Sequence, residues 1–185
     1  VSEEHPTPAS AEAEPAAGPA APPRAWGLGE LAAVLAVVLA ATGLVLVFGY
    51  RPTFAHAYFD VVEIERSVIF GVARRLHFWA AHFLVIAVAL HLLRQFLVGG
   101  HRYARDWRLG WVLLVGTVAL AATGALLPLD VEAMRGFAEL WGGEAGQPEE
   151  SALFLAYTLH CFALPLAMAG LLVAHFRRAR RKEGR

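Results

Sequence analysis

Apolar residues gather along this chain into four long stretches instead of alternating with polar ones. Leu31–Tyr50, Leu76–Leu93, Leu109–Leu129 and Ser151–Phe176 contain no Asp, Glu, Lys or Arg. Each is near or above the ~18 residues that mark a membrane-helix candidate. Breakers bound the first three: Arg51-Pro52, Gly99-Gly100 and Pro128. The pattern predicts helices over about Gly27–Tyr50, Arg75–Val98, Leu109–Leu127 and Ser151–Arg178. Pro165 falls inside the fourth, where a membrane helix tolerates a proline. The expected fold class is all-α, a transmembrane four-helix bundle.

The segments between the helices differ in character. The first connection, Arg51–Arg75, is long and carries aromatics and mixed charge, while the second is short. The third, Leu129–Glu150, is acidic and contains glycine. Val1–Arg24 is rich in Ala, Pro and Glu and has almost no large apolar residues. Such a composition cannot bury a core. Residues 1–25 therefore read as a disordered tail, without the basic start of a signal peptide, and residues 26–185 as the membrane domain.

Hydrophobic residues make up 57% of the 185 and charged residues 17%, which agrees with a membrane class. The formal net charge is zero, so bulk charge points to no nucleic acid. Basic residues near helix ends set orientation. Arg177, Arg178, Arg180, Arg181, Lys182 and Arg185 follow the fourth helix, and Arg94, Arg102, Arg105 and Arg108 flank the second connection. With four helices these lie on the side of the N-terminus, which is expected to be cytoplasmic. Arg51, Arg66, Arg74 and Arg75 in the first connection oppose this, and the C-terminal cluster outweighs them. The lone cysteine, Cys161, cannot close an intrachain disulfide, and no Cys-x-x-Cys-His attaches a haem. It reads as a small core residue.

The chemistry lies in the histidines. Four of the eight sit in charge-free stretches at matching intervals: His77 and His91 in the second helix, His160 and His175 in the fourth. Ionisable groups inside a membrane are expensive and mark function. The first two are 14 residues apart, so they share a face within ~40° and stand ~21 Å apart along the axis. The other two are 15 apart, giving ~60° and ~22 Å. Two facing helices thus offer two imidazoles at each of two levels, enough for both axial ligands of a haem iron at each. Gly29 and Gly43 in the first helix, and Gly110 and Gly124 in the third, repeat the 14-residue interval. Glycine lets another group approach the backbone closely, so these four are expected to clear space for a flat ring at both levels. A single membrane histidine can merely bond across helices, but eight residues on one repeat point to two haems. His82 lies ~140° from His77, off that face, and is expected to pack or hydrogen bond. His5, His56 and His101 fall in the tail or connections and read as solvated.

These residues also carry a resemblance. Ala41-Thr42-Gly43, Tyr50-Arg51-Pro52-Thr53, Arg74-Arg75-Leu76-His77-Phe78-Trp79-Ala80-Ala81 and Leu90-His91-Leu92-Leu93-Arg94 resemble the first two helices of the cytochrome b family. Trp107-Arg108-Leu109-Gly110, Thr123-Gly124, Leu159-His160-Cys161-Phe162-Ala163-Leu164-Pro165 and His175-Phe176 resemble its third and fourth. The match covers roughly Leu28 to Arg178, the family's N-terminal half, and its spacings are those of the b6 branch.

The resemblance implies two non-covalent haem b groups with bis-histidine ligation. His77 and His160 would hold the haem near the outer face, and His91 and His175 the one near the cytoplasmic face. It implies a propionate-binding role for Arg74 and a similar one, or a phospholipid contact, for Arg94. It implies an electron-transfer subunit of a quinol–cytochrome c type complex in the bacterial plasma membrane. Quinone or quinol would be the substrate at the level of the complex. The implied partners are a second cytochrome b-type subunit, a Rieske iron–sulfur protein and a c-type cytochrome, in a complex that can be homodimeric.

Three places depart from the family pattern. Leu127-Pro128-Leu129-Asp130-Val131 stands where the family has Leu-Pro-Trp-Asp-Gln. Gly27 stands near the b6 cysteine that attaches an extra haem. The family's Pro-Glu-Trp-Tyr segment has no counterpart, so the outer quinol chemistry is expected to need another chain. Two other readings compete: a two-haem anchor joining the quinone pool to a different oxidoreductase or multihaem cytochrome, and a haem-free assembly subunit.

Overall fold

The computed structural model describes residues 27–99, 104–141 and 150–183. The tail with His5, the loop residues His101 and Arg102, the segment 142–149 and Arg185 lie outside the described residues. All regular structure among the described residues is helical. The order is α1 (Leu28–Val47), α2 (Ala57–Arg66), α3 (Val68–Leu97), α4 (Ala104–Leu126), α5 (Val131–Trp141), α6 (Glu150–Thr158), a π-turn over Leu159–Ala163, and α7 (Leu164–Glu183). α6, the π-turn and α7 form one continuous rod.

Four of these helices are long and apolar enough to cross a membrane: α1, α3, α4 and the α6–α7 rod. They expose large apolar side chains freely. Val37 is 69% and Leu44 64% exposed. In water this would be ruinous, but lipid chains are as apolar as the side chains they meet. The backbone polar groups are satisfied within each helix, as hydrocarbon requires. α1 packs along α3, α3 touches α4, and α4 packs along the α6–α7 rod. α3 and α7 do not form one of these close packings, and histidine rings span the distance between them.

The connections are more ordered than the sequence pattern predicts. The first holds the ten-residue helix α2, and α3 begins at Val68, one to two turns before the expected start at Arg75. Ser67 explains both ends. Its extended backbone stops α2, and its hydroxyl accepts a hydrogen bond from the N–H of Phe70 to cap α3. The third connection holds α5, capped by Asp130, whose carboxylate accepts from the N–H of Ala133 at 2.9 Å. Leu129 makes the turn into α5 with φ 49°, a left-handed conformation that costs an L-residue about 1–2 kcal/mol. Burial of its side chain in the cluster described next offsets that cost.

The best-buried cluster lies where these connections meet, at one end of the bundle. Ala57 of α2 packs with Leu126, Leu129, Ala152, Leu153 and Ala156, and Tyr50, Phe54, Leu127 and Met134 close around them. Tyr50 donates its hydroxyl hydrogen to the carbonyl of Leu127 at 2.6 Å and stacks on Tyr157 with ring centres 5.8 Å apart. The Arg51 guanidinium and backbone N–H both donate to the buried carboxylate of Asp60, the latter at 2.8 Å. These contacts bind the ends of α1, α4 and α6 beneath α2. At the other end Arg178 reaches Asp106 at 3.9 Å, joining α7 to the start of α4.

Candidate cofactor site

α3 and the α6–α7 rod bring the four intramembrane histidines together in two pairs. His77 faces His160 with ring centres 6.1 Å apart and planes at 69°. His91 faces His175 at 6.5 Å and 81°. Two imidazoles bound in line to one metal, with N–metal bonds of ~2.0–2.1 Å and ~1.2 Å from nitrogen to ring centre, place their centres ~6.4 Å apart. Among the described residues no three His, Cys, Asp or Glu side chains converge as a metal cage. Each level thus supplies two nitrogen ligands and no more, which suits a metal whose equatorial ligands arrive with the cofactor. The residues present fit an iron porphyrin.

The His77–His160 pair is further oriented by its neighbours. Thr42 donates its hydroxyl hydrogen to the carbonyl of Val38 at 2.7 Å. Its oxygen, 2.9 Å from Nδ1 of His77, can then only accept from that ring. On the other side, Nδ1 of His160 donates to the carbonyl of Leu120 at 2.9 Å. Thr123 lies 3.3 Å from the same nitrogen while donating to Ala119 at 2.8 Å. In both rings the proton sits on Nδ1, and Nε2 keeps its lone pair for a metal. The sequence pattern contained Thr42-Gly43 and Thr123-Gly124 but assigned the threonines no task. The signal that marks them is their recurrence before Gly43 and Gly124, where Leu28 and Leu109 stand before Gly29 and Gly110. Among the described residues no hydrogen bond reaches the ring of His91.

The glycines lie against the histidines themselves. A β-carbon on Gly43 would stand 3.2 Å from Cε1 of His77, and one on Gly29 at 3.2 Å from Cε1 of His91. On Gly124 it would stand 2.5 Å from Cε1 of His160. Gly110 differs: its added carbon would meet Cδ1 of Leu92 at 2.9 Å, beside His91 and not on a ring. α1 and α4 thus come close enough for their backbones to floor the imidazoles.

The remaining candidates are placed elsewhere. Arg74, one turn before His77, forms an ion pair with Glu65 of α2. Arg94 is exposed one turn after His91. His82 is exposed on the far side of α3, bonded through Nδ1 to the Phe78 carbonyl at 2.8 Å and set against the Phe78 ring at 4.4 Å. His56 is bonded to Thr53 at 3.0 Å in the first connection. Cys161 is half-buried in the π-turn.

The chain is similar to known proteins along most of its length. Residues 17–142 match the family described as cytochrome b/b6/petB. The chain is 36% identical over 160 residues to cytochrome b6 of Oltmannsiellopsis viridis, covering 76% of this chain and 74% of that protein. It is 34% identical over 160 residues to cytochrome b6 of Chlamydomonas reinhardtii, with the same coverage. Against cytochrome b6 of Heliobacterium mobile the figures are 36% over 170 residues, 80% of this chain and 79% of that one.

Proposed function

The chain belongs to the cytochrome b/b6 family, and from that premise we propose that it carries electrons across the membrane between two bis-histidine haem b groups. The family brings haem b, and the four apolar helices make the chain a multi-pass membrane protein. The observation that carries the finer reading is the pairing of imidazoles at 6.1 and 6.5 Å, close to the ~6.4 Å that one shared iron requires. His77 and His160 hold the outer haem. His91 and His175 hold the inner one, ~21 Å away along the helix axis.

When bound, each haem supplies a one-electron iron couple. The chain's own residues do the rest. The histidines present Nε2, Thr42 and the Leu120 carbonyl fix the outer rings, and the glycine-floored helices bring the rods into register. Arg74 neutralises a haem carboxylate, exchanging Glu65 for it, and Arg94 has the matching role at the inner level or binds phospholipid. The contacts of Tyr50, Arg51 and Asp60 close the end of the bundle near the His77 level and limit access of water to it.

The electron enters from quinol near the outer face and leaves to quinone near the cytoplasmic face. The complex is of the b6f or bc type. Its other members are a second cytochrome b-type subunit, a Rieske iron–sulfur protein and a c-type cytochrome, and the whole can be dimeric. The membrane is a bacterial plasma membrane with both termini cytoplasmic. The test is haem analysis of the purified subunit. Two extractable haems per chain with low-spin spectra are expected. One haem per chain, or haem that survives acid–acetone extraction on the protein, overturns the reading.

A further inference from the structure

His77 and His91 are 14 residues apart on α3, and His160 and His175 are 15 apart on the α6–α7 rod. In uninterrupted α-helices these intervals are not equivalent. At ~100° per residue, 14 falls ~40° short of four whole turns and 15 runs ~60° past them. The two rods would present their pairs with a mismatch of ~100°, one whole residue. Yet both pairs face across at nearly equal separations, 6.1 and 6.5 Å.

The difference is taken up between the two histidines of the rod. Leu159–Ala163 forms a π-turn, in which the N–H of Leu164 donates to the carbonyl of Leu159, five residues back. An i→i+5 ring holds one residue more than the i→i+4 ring of an α-helix. The turn therefore absorbs one residue without rotating the helix beyond it. His175 stands to His160 as if 14 residues separated them. Pro165 accounts for where the turn forms. It has no N–H to give, and in a plain α-helix its ring would meet the carbonyl of Cys161. Widening the turn just before it is one way a membrane helix accommodates a proline.

We infer that the π-turn at Leu159–Ala163 is a register device that absorbs the additional residue of the fourth span, so that His160 and His175 both meet the histidines of α3. The inference rests on the two-haem reading above. Apart from His160 itself, its residues position ligands and touch no reacting atom. It predicts that one turn residue is dispensable once the proline is relieved, whereas a residue of straight helix is not.

The test compares three full-length chains in membranes, assayed for haem per chain and for the g values of each low-spin haem. The unaltered chain should hold two haems; if it does not, the two-haem reading fails and takes this inference with it. Deletion of Cys161 combined with Pro165→Ala should leave two haems with g values little changed. Deletion of Ala89, in the uninterrupted part of α3, should cost one haem. Loss of one haem from the Cys161 deletion, or retention of both by the Ala89 deletion, overturns the inference. So does failure of the Cys161 deletion to accumulate, because a helix relieved of its additional residue should be no less stable.

Discussion

At the scale of the residue, ligand strength depends on which nitrogen of each imidazole is free. The bond from His77 Nδ1 to Thr42 leaves Nε2 basic, and such an outer partner strengthens a histidine as a metal ligand and favours the more charged metal. Thr42→Val keeps the shape and removes the acceptor. It should raise the midpoint potential of the outer haem and leave the inner one in place, as a potentiometric titration would record; equal shifts in both would count against the assignment. The glycines make a second test. An alanine at Gly124 puts a carbon 2.5 Å from the His160 ring, closer than packed atoms stand, and overpacking of this kind costs about 1–3 kcal/mol. Gly124→Ala should weaken the outer haem selectively. Gly110→Ala meets only the movable end of Leu92 and should do less to either, which a haem titration of the two variants compares directly. The four histidines were legible in the sequence because their 14- and 15-residue intervals in charge-free stretches put them at two common levels, which His82 in the same stretch does not share. The threonines were not, because a serine or threonine that bonds back to its own helix is common, and only the facing ring gives Thr42 a second task.

At the scale of the element, the four spans were legible because an apolar segment of about twenty residues satisfies its backbone groups within itself in hydrocarbon only as a helix. The short helices were not. α2 carries Asp60, Glu63, Glu65 and Arg66 among its apolar residues, and its buried face of Ala57, Asp60 and Ile64 includes a charge that Arg51, distant in the helix sense, neutralises. That contact also predicts a pH dependence. Hydrogen bonds from the Arg51 guanidinium, ahead of the opposing effect of burial, hold the Asp60 carboxyl below its ordinary value. A carboxyl lowered on folding stabilises fully above its unfolded value of about 3.9, and the contribution is lost as pH falls through the folded value. Thermal unfolding in detergent should therefore show a loss of stability below pH ~4 that Asp60→Asn, destabilised throughout, no longer displays; identical pH profiles would refute it. Tyr50→Phe removes the bond to Leu127 and should cost about 0.5–1.5 kcal/mol in the same assay. The π-turn was also hidden. Pro165 hints at a distortion, but its kind follows from the facing helix, since only the pairing with α3 demands that one residue be absorbed.

At the scale of the whole molecule, the chain buries one cluster at an end of the bundle and a thin line of mostly small residues along α3 and α4, keeps its four histidines half-buried, and leaves much of its apolar surface to lipid. Orientation rests on the basic residues at the C-terminal end of α7 and around the second connection. Green fluorescent protein fused after Arg185 should fluoresce, and alkaline phosphatase fused there should be inactive; the opposite pattern would invert the outer and inner levels without changing the pairs. The pairs themselves are the central claim. Haem-resolved redox titration of His77→Ala, His160→Ala, His91→Ala and His175→Ala tests it most directly. The first two should abolish one and the same transition and the last two the other, with His82→Ala retaining both. Loss of the same transition from His77→Ala and His175→Ala would contradict it.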